Sequence, residues 1–307
     1  MKLFCIKLTA FLAMVVAMDF GTGKAMDYIV AHTVKGDYGR NNYICTEANQ
    51  DCLIFGSSRA IHHYDPDSIG AALGMSCYNC GEDGMGIVTM YGRYQLCRQR
   101  HIPKVVLYDV VGGFDISPDD KSRYIKWLRY YEDNPIIANL IDTVDATEHY
   151  KRLSRSYKYN SRFLDIVSQY ISHSPEVAAN YKYAPLHGHI SPKAAAVDAK
   201  APAKDYPVDS LKLQLFERMI RQCQADGTQF VLLLSPWYKA TNDKEYASII
   251  ALCERMGVPV LNHLTDSDIT TNPDYFEDTS HMNVNGVAVY DRKVCEEVKN
   301  ANFANPI

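Results

Sequence analysis

Ser58, Asp278 and His281 are the residues whose types and spacing could do chemistry together. A serine hydroxyl is a poor nucleophile at neutral pH, so it needs a general base in hydrogen-bond reach and a third group to orient that base. The stretch Asp51-Cys52-Leu53-Ile54-Phe55-Gly56-Ser57-Ser58-Arg59-Ala60 runs from an apolar segment into a glycine and two serines. That pattern reads as a buried strand followed by a tight turn, which lifts a hydroxyl out at the strand's carboxyl edge. Far along the chain, the stretch 276–286 sets an aspartate three residues before a histidine, just ahead of an amphipathic helix. On a helical turn that spacing puts both side chains on one face. Asp278 can then hold the Nδ1 side of His281 while Nε2 faces Ser58.

The elements that must position these groups follow from apolar periodicity and turn residues. Strands are expected over 51–55, 71–79, 104–111, 229–234 and 258–261. Helices are expected over 91–100, 210–225, 244–256 and 284–299, several of them stopped by glycine. Alternation of this kind implies a parallel sheet wound with helices on both faces, an α/β fold whose ligands bind beyond the carboxyl ends of the strands. Ser58, the glycine-rich turn 80–86, the stretch from Asp109 to Gly113 and Ser235 all fall at such ends, on one edge. Arg59, Asp109 and Ser235 are therefore candidate substrate contacts, with an ion-paired or surface role as the bland reading of Arg59. Glycine at position 84 allows close backbone approach and an amide N–H aimed at a substrate oxygen.

The region 115–207 breaks this rhythm. Residues 115–172 are rich in tyrosine and charge at helical spacing and read as two helices, whose tyrosines either stack on sugar rings or, by default, pack a core. Residues 174–207 carry five prolines and an alanine-lysine run over 193–204, a loop-like connection of the length that functional lids use.

Over 307 residues the composition is ordinary for a globular protein, 47% apolar and 22% charged, and the formal net charge of −4 offers no basic excess for nucleic acid. Residues 1–25 hold Lys2, Lys7 and an apolar run over 8–18, which reads as an export signal or a short signal anchor, with a buried first helix as the bland alternative. Gly23-Lys24-Ala25 offers a small-x-small cleavage candidate, and 26–50 reads as a lead-in to a domain over 51–307 that is interrupted by the 115–207 insertion. Export also fits nine cysteines, although Cys77 and Cys80 have no second pair or zinc-spaced histidines and read as thiols or a local disulfide. His187 and His189 lack a third ligand nearby, and His62 and His63 read as surface or helix-packing residues. No metal or cofactor is expected.

Gly56-Ser57-Ser58 resembles the Gly-Asp-Ser block of the SGNH (GDSL-like) hydrolases, and Asp278-Thr279-Ser280-His281 resembles their C-terminal Asp-x-x-His block. Gly84 is similar to the second-block glycine whose amide helps build the oxyanion hole. The resemblance covers 51–113 and 210–299. It implies a three-layer α/β/α, flavodoxin-like fold with a five-stranded parallel sheet, the insertion standing before the fourth strand, and serine esterase or acyltransferase chemistry on O-acyl groups. Two departures stand out. Ser57 replaces the usual aspartate, as in membrane-linked relatives such as the D-alanyl transfer protein of teichoic acid modification. Val111-Gly112-Gly113-Phe114-Asp115 occupies the place of the third-block Gly-x-Asn-Asp, so the Gly112 or Gly113 amide would have to supply the missing donor.

The function expected is thus acyl transfer through Ser58, with His281 as base, Asp278 as its orienting acid, and the Ser58 and Gly84 amides on the oxyanion. The partners expected are an acylated small molecule or carbohydrate of the cell envelope or outside it, and a membrane met through the N-terminal segment. The α/β-hydrolase reading fails on order, because those folds place several strands before the nucleophile and the acid well before the histidine. A nucleotide-binding reading lacks a Gly-x-Gly-x-x-Gly after the first strand. The competitor of a different class is a membrane-tethered binding or scaffold protein that keeps the fold without catalysis.

Overall fold

The protein was studied as a computed structural model that describes residues 1–172, 183–196 and 206–300. The chain divides into two compact units, Met1–Glu47 with Lys121–Tyr181, and Ala48–Asp120 with Lys182–Ile307.

The second unit is built on five parallel strands, β1 (Cys52–Gly56), β2 (Cys77–Asn79), β3 (Val105–Asp109), β4 (Gln229–Leu234) and β5 (Val260–Asn262), in the order β2-β1-β3-β4-β5. This is the flavodoxin-like order. β1 and β3 are buried at every position and β4 at all but its first, which is why they read as near-continuous apolar runs. Alternate residues feed two cores. Ile54, Leu107, Val231 and Leu233 face one side with Tyr290, Val294 and Val298 of the helix Val284–Asn300 and Ile69 of the helix Pro66–Leu73. On the other side Phe55 meets Tyr94 of the helix Ile87–Arg98, and Tyr108 meets Phe216 of the helix Ser210–Ala225, both edge to face. The result is the three-layer α/β/α arrangement.

Two strand expectations change. The stretch 71–79 is a strand only at Cys77–Asn79, because Asp65 caps and Pro66 opens a helix that runs to Leu73 and ends at Gly74 in left-handed conformation. β5 starts at Val260 rather than 258, after Gly257 and the buried Val258.

The first unit joins what the sequence separates. One helix, Lys2–Ala31, runs through the expected boundary at residue 25, and Gly36–Asn42 and a π-helical turn Tyr43–Glu47 follow where a lead-in was expected. The insertion forms several short helical segments rather than two helices; the longest are Pro135–Val144, started by the Asn134 cap, and Phe163–Ile171. Its aromatic residues pack a core: Tyr124, Trp127 and Tyr159 are buried, and Tyr38 sits edge-on to Trp127 at 5.1 Å. Of the loop expected over 174–207, residues 174–182 and 197–205 lie outside the described residues, as does most of the alanine-lysine run. No cysteine is in a disulfide; Cys77 and Cys80 are buried thiols.

Candidate active site

Ser58 opens a short helix, Ser58–His63, directly after β1. The turn that presents it depends on Gly56, whose φ of +141° is reserved for glycine and whose Cβ, if present, would lie 2.4 Å from the Asp109 carbonyl oxygen on neighbouring β3. Ser57 between them is fully buried, with its hydroxyl lacking a hydrogen-bond partner among the described residues.

Asp278 and His281 come from a tight turn rather than a helix. An antiparallel bridge joins Phe276 to Met282, the Glu277 amide donates to the His281 carbonyl at 2.9 Å, and Asp278 Oδ1 accepts the Ser280 and His281 amides at 2.7 and 2.8 Å. Its Oδ2 faces His281 Nδ1 at 2.9 Å. A carboxylate only accepts, so Nδ1 carries the proton and Nε2 offers its lone pair. Nε2 lies 2.8 Å from Ser58 Oγ. Burial works to raise the Asp278 carboxyl, but the bonds from His281 and Ser280 outweigh it and hold the group well below the usual carboxylate range. Asp278 does not cap the last helix. Asn283 does that work, its Oδ1 accepting the Asn285 and Gly286 amides.

The three candidate substrate contacts are corrected. Arg59, Asp109 and Ser235 are at most 1% exposed and occupied with one another: Asp109 Oδ1 and Oδ2 accept the Ser235 amide and hydroxyl at 3.1 and 2.9 Å, and Arg59 Nε stands 3.8 Å from Asp109. Arg59 also donates to the Val110 and Ser235 carbonyls. Their strand-end positions are as expected, but their side chains turn inward. The network continues through a residue assigned to helix packing. The Met282 amide donates to His63 Nε2 at 2.9 Å, so Nδ1 carries the proton and donates to Ser235 Oγ at 3.0 Å. Burial first, then the Arg59 charge, keeps His63 neutral, its pKa well below the ordinary value. His63 thereby grips the residue next to His281 from beneath.

The expected oxyanion donors are placed unevenly. Gly84 sits at φ +66° in the turn after β2, as close backbone approach requires. Asn79 fastens that turn to the helix Ser58–His63, donating to the Ala60 and Tyr64 carbonyls at 2.7 and 3.0 Å and accepting the Gly81 amide at 3.0 Å. The Gly112 backbone bonds the buried Tyr246 hydroxyl instead, whereas Gly113 is exposed. Asp115 locks the second and third turns together, accepting from the Ile87 and Val111 amides and the Tyr108 hydroxyl at 2.7, 2.8 and 2.7 Å, while burial pushes its carboxyl up to about 7.

His62, beside His281 with ring centroids 5.7 Å apart, reaches the Ala184 carbonyl and Asp83. His187 and His189 flank Gly188, whose amide meets Glu277, and among the described residues no cluster suits a metal. His63 and Asn79 carry no motif of their own, and Asp115 is only the last residue of the altered third block. The only signal for them in the sequence is their position at or just beyond a strand end or a nucleophile turn.

No family model and no curated protein matches the chain. Among solved structures it is similar to a protein provisionally named an acylhydrolase from Bacteroides fragilis, at 10% identity and a TM-score of 0.44, over 86% of this chain and 95% of the other. It is also similar to a provisionally named lipolytic protein of the G-D-S-L family from Desulfitobacterium hafniense, at 9% identity and a TM-score of 0.40, over 80% and 98%. The fold stands on its own sheet order. It is a flavodoxin-like sheet with serine on the turn after β1 and Asp-x-x-His ahead of the last helix.

Proposed function

We propose that the protein is a serine-dependent esterase or O-acyltransferase acting on acetyl-like O-acyl groups. The 2.8 Å approach of His281 Nε2 to Ser58 Oγ, with Asp278 on the opposite ring nitrogen, carries this reading. Ser58 attacks the ester carbonyl while Nε2 takes its proton. Asp278 holds the tautomer and faces the imidazolium, and the proton then goes to the leaving alcohol. The Ser58 and Gly84 amides are the proposed oxyanion donors, each of the kind worth about 100 to 1000-fold in rate. Water as the second acceptor gives an esterase, and a sugar hydroxyl gives a transferase.

The helix Lys2–Ala31 supports an extracytoplasmic, membrane-anchored setting: it is long and apolar enough to cross a bilayer, with Lys2 and Lys7 near its start. In that compartment the acyl groups within reach are those of envelope or extracellular carbohydrates. The Gly112 backbone, engaged by Tyr246 rather than aimed at a substrate, favours the second reading, a tethered carbohydrate-binding or scaffold protein of the same fold.

Turnover of p-nitrophenyl acetate by the detergent-solubilised chain, beside Ser58→Ala and His281→Ala, separates the two. Hydrolysis that falls by about 1000-fold or more in both variants is the expected result. Absence of turnover together with absence of fluorophosphonate labelling at Ser58 would leave the binding reading standing.

A further inference from the structure

We infer that the helix Lys2–Ala31 is retained as a permanent anchor and that the first unit rests on the bilayer surface, with Phe20, Tyr150 and Leu153 entering the headgroup region. This rests on the membrane-anchored part of the proposed function. The helix has two halves of opposite character. Residues 2–18 are exposed all round and contain no acid, whereas from Asp19 onward the helix is part of the folded unit. Asp19 accepts from the Ser154 hydroxyl and the Arg155 and Ser156 amides, at 2.7, 2.8 and 3.2 Å. One turn on, a Cβ at Gly23 would fall 2.8 Å from Arg155 Cβ. Further along, Met26 and Val30 are buried, and Asp27 pairs with Arg155 and Lys158. Cleavage at Gly23-Lys24-Ala25 would cut through this packed half and strip Asp19 and Gly23 from their partners.

Asp19 marks where the helix leaves the unit, and 17 residues at about 1.5 Å each span about 25 Å, close to a hydrocarbon core. At this level the unit exposes apolar groups. Leu153, next to Ser154, is 86% exposed and Tyr150, one turn before it, 71%. The Leu153 amide donates to the Tyr150 carbonyl, so the two share a turn, and Phe20 adds a ring beside Asp19. An aromatic-rich apolar rim around an emerging apolar helix is what a headgroup interface accommodates.

The test uses the full chain in phosphatidylcholine-phosphatidylglycerol vesicles with brominated acyl chains. Leu153→Trp and Leu12→Trp are read separately as fluorescence added over the wild-type tryptophans. Leu153 is exposed enough for tryptophan to be tolerated. We expect the tryptophan at 153 to be quenched most by lipids brominated near the headgroups, that at 12 most by lipids brominated deep in the chains, and the intact mass of the membrane-extracted protein to include residues 1–25. Quenching at 12 without quenching at 153 overturns the surface contact while sparing the anchor. Shielding of 153 from acrylamide without lipid quenching assigns the patch to a protein partner and overturns it too. Loss of residues 1–25 from the mass overturns retention, and quenching at neither position removes the membrane reading beneath the proposal. Esterase assays are independent of all these outcomes.

Discussion

Asp291, on the last helix, is 5% exposed; its Oδ2 accepts the Asp65 amide at 3.1 Å and its Oδ1 has no partner among the described residues. Burial pushes its carboxyl up to about 8. With an unfolded value near 3.9, the folded state binds the extra proton between about pH 4 and pH 8, so this site's contribution to stability is full below pH 4 and drains away as pH rises toward 8. Asp291→Asn keeps the acceptor without the charge. It should match the wild type near pH 4 and exceed it by about 2 kcal/mol or more at pH 8.5, measured by urea unfolding at both pH values; parallel curves at the two pH values would refute this. Residue identity was a good guide where chemistry demands a set of types in a fixed order. Ser58, Asp278 and His281 lie within hydrogen-bond reach of one another, though Asp278 and His281 meet through a tight turn and not the helical turn expected. It was a poor guide for Arg59, Asp109 and Ser235, because a strand-end position fixes which edge a residue occupies and not whether its side chain turns inward.

Among the elements, the helix Ser58–His63, the end of β4 and the turn before the last helix meet through the His63 imidazole. His63→Leu removes the acceptor of the Met282 amide and the partner of Ser235, leaving buried polar groups unpaired. The expected cost is about 2 to 4 kcal/mol in unfolding. If the grip on Met282 also aims His281, kcat falls while KM stays nearly constant. A stability loss with kcat unchanged would reduce His63 to a packing role. Element types were largely readable, since β1, β3, β4 and the helices Ser210–Ala225 and Val284–Asn300 advertise themselves by apolar period and caps. The 71–79 expectation missed because the Asp65-Pro66 start and Gly74 stop bound a helix more firmly than the apolar content of 71–75 suggests a strand.

At the scale of the whole molecule, pairing of the N-terminal 47 residues with 121–181 was hidden. No local pattern links a helix to a partner more than a hundred positions away; the link is made by Asp19 and Asp27 with Ser154, Arg155 and Lys158. Removing residues 1–18 should therefore abolish membrane partitioning and leave the melting temperature within about 2 °C. Removing residues 1–31 takes away buried Met26 and Val30, each worth about 1.5 to 3 kcal/mol, and should lower melting by about 10 °C or more or prevent folding. Differential scanning calorimetry of both truncations decides it, equal losses in the two being the adverse outcome.

Asp278 and His281 find each other within a single turn, whereas Ser58 and His281 are 223 positions apart. Base and acid can pair as soon as their turn forms, but the serine gains its base only when the first and last strands of the sheet and the final helix share one scaffold. Under the proposed mechanism, reactivity toward a fluorophosphonate is therefore also a clock for the closing of a very long loop. During refolding it lags the recovery of helical signal by the time the chain takes to bring its distant ends into register.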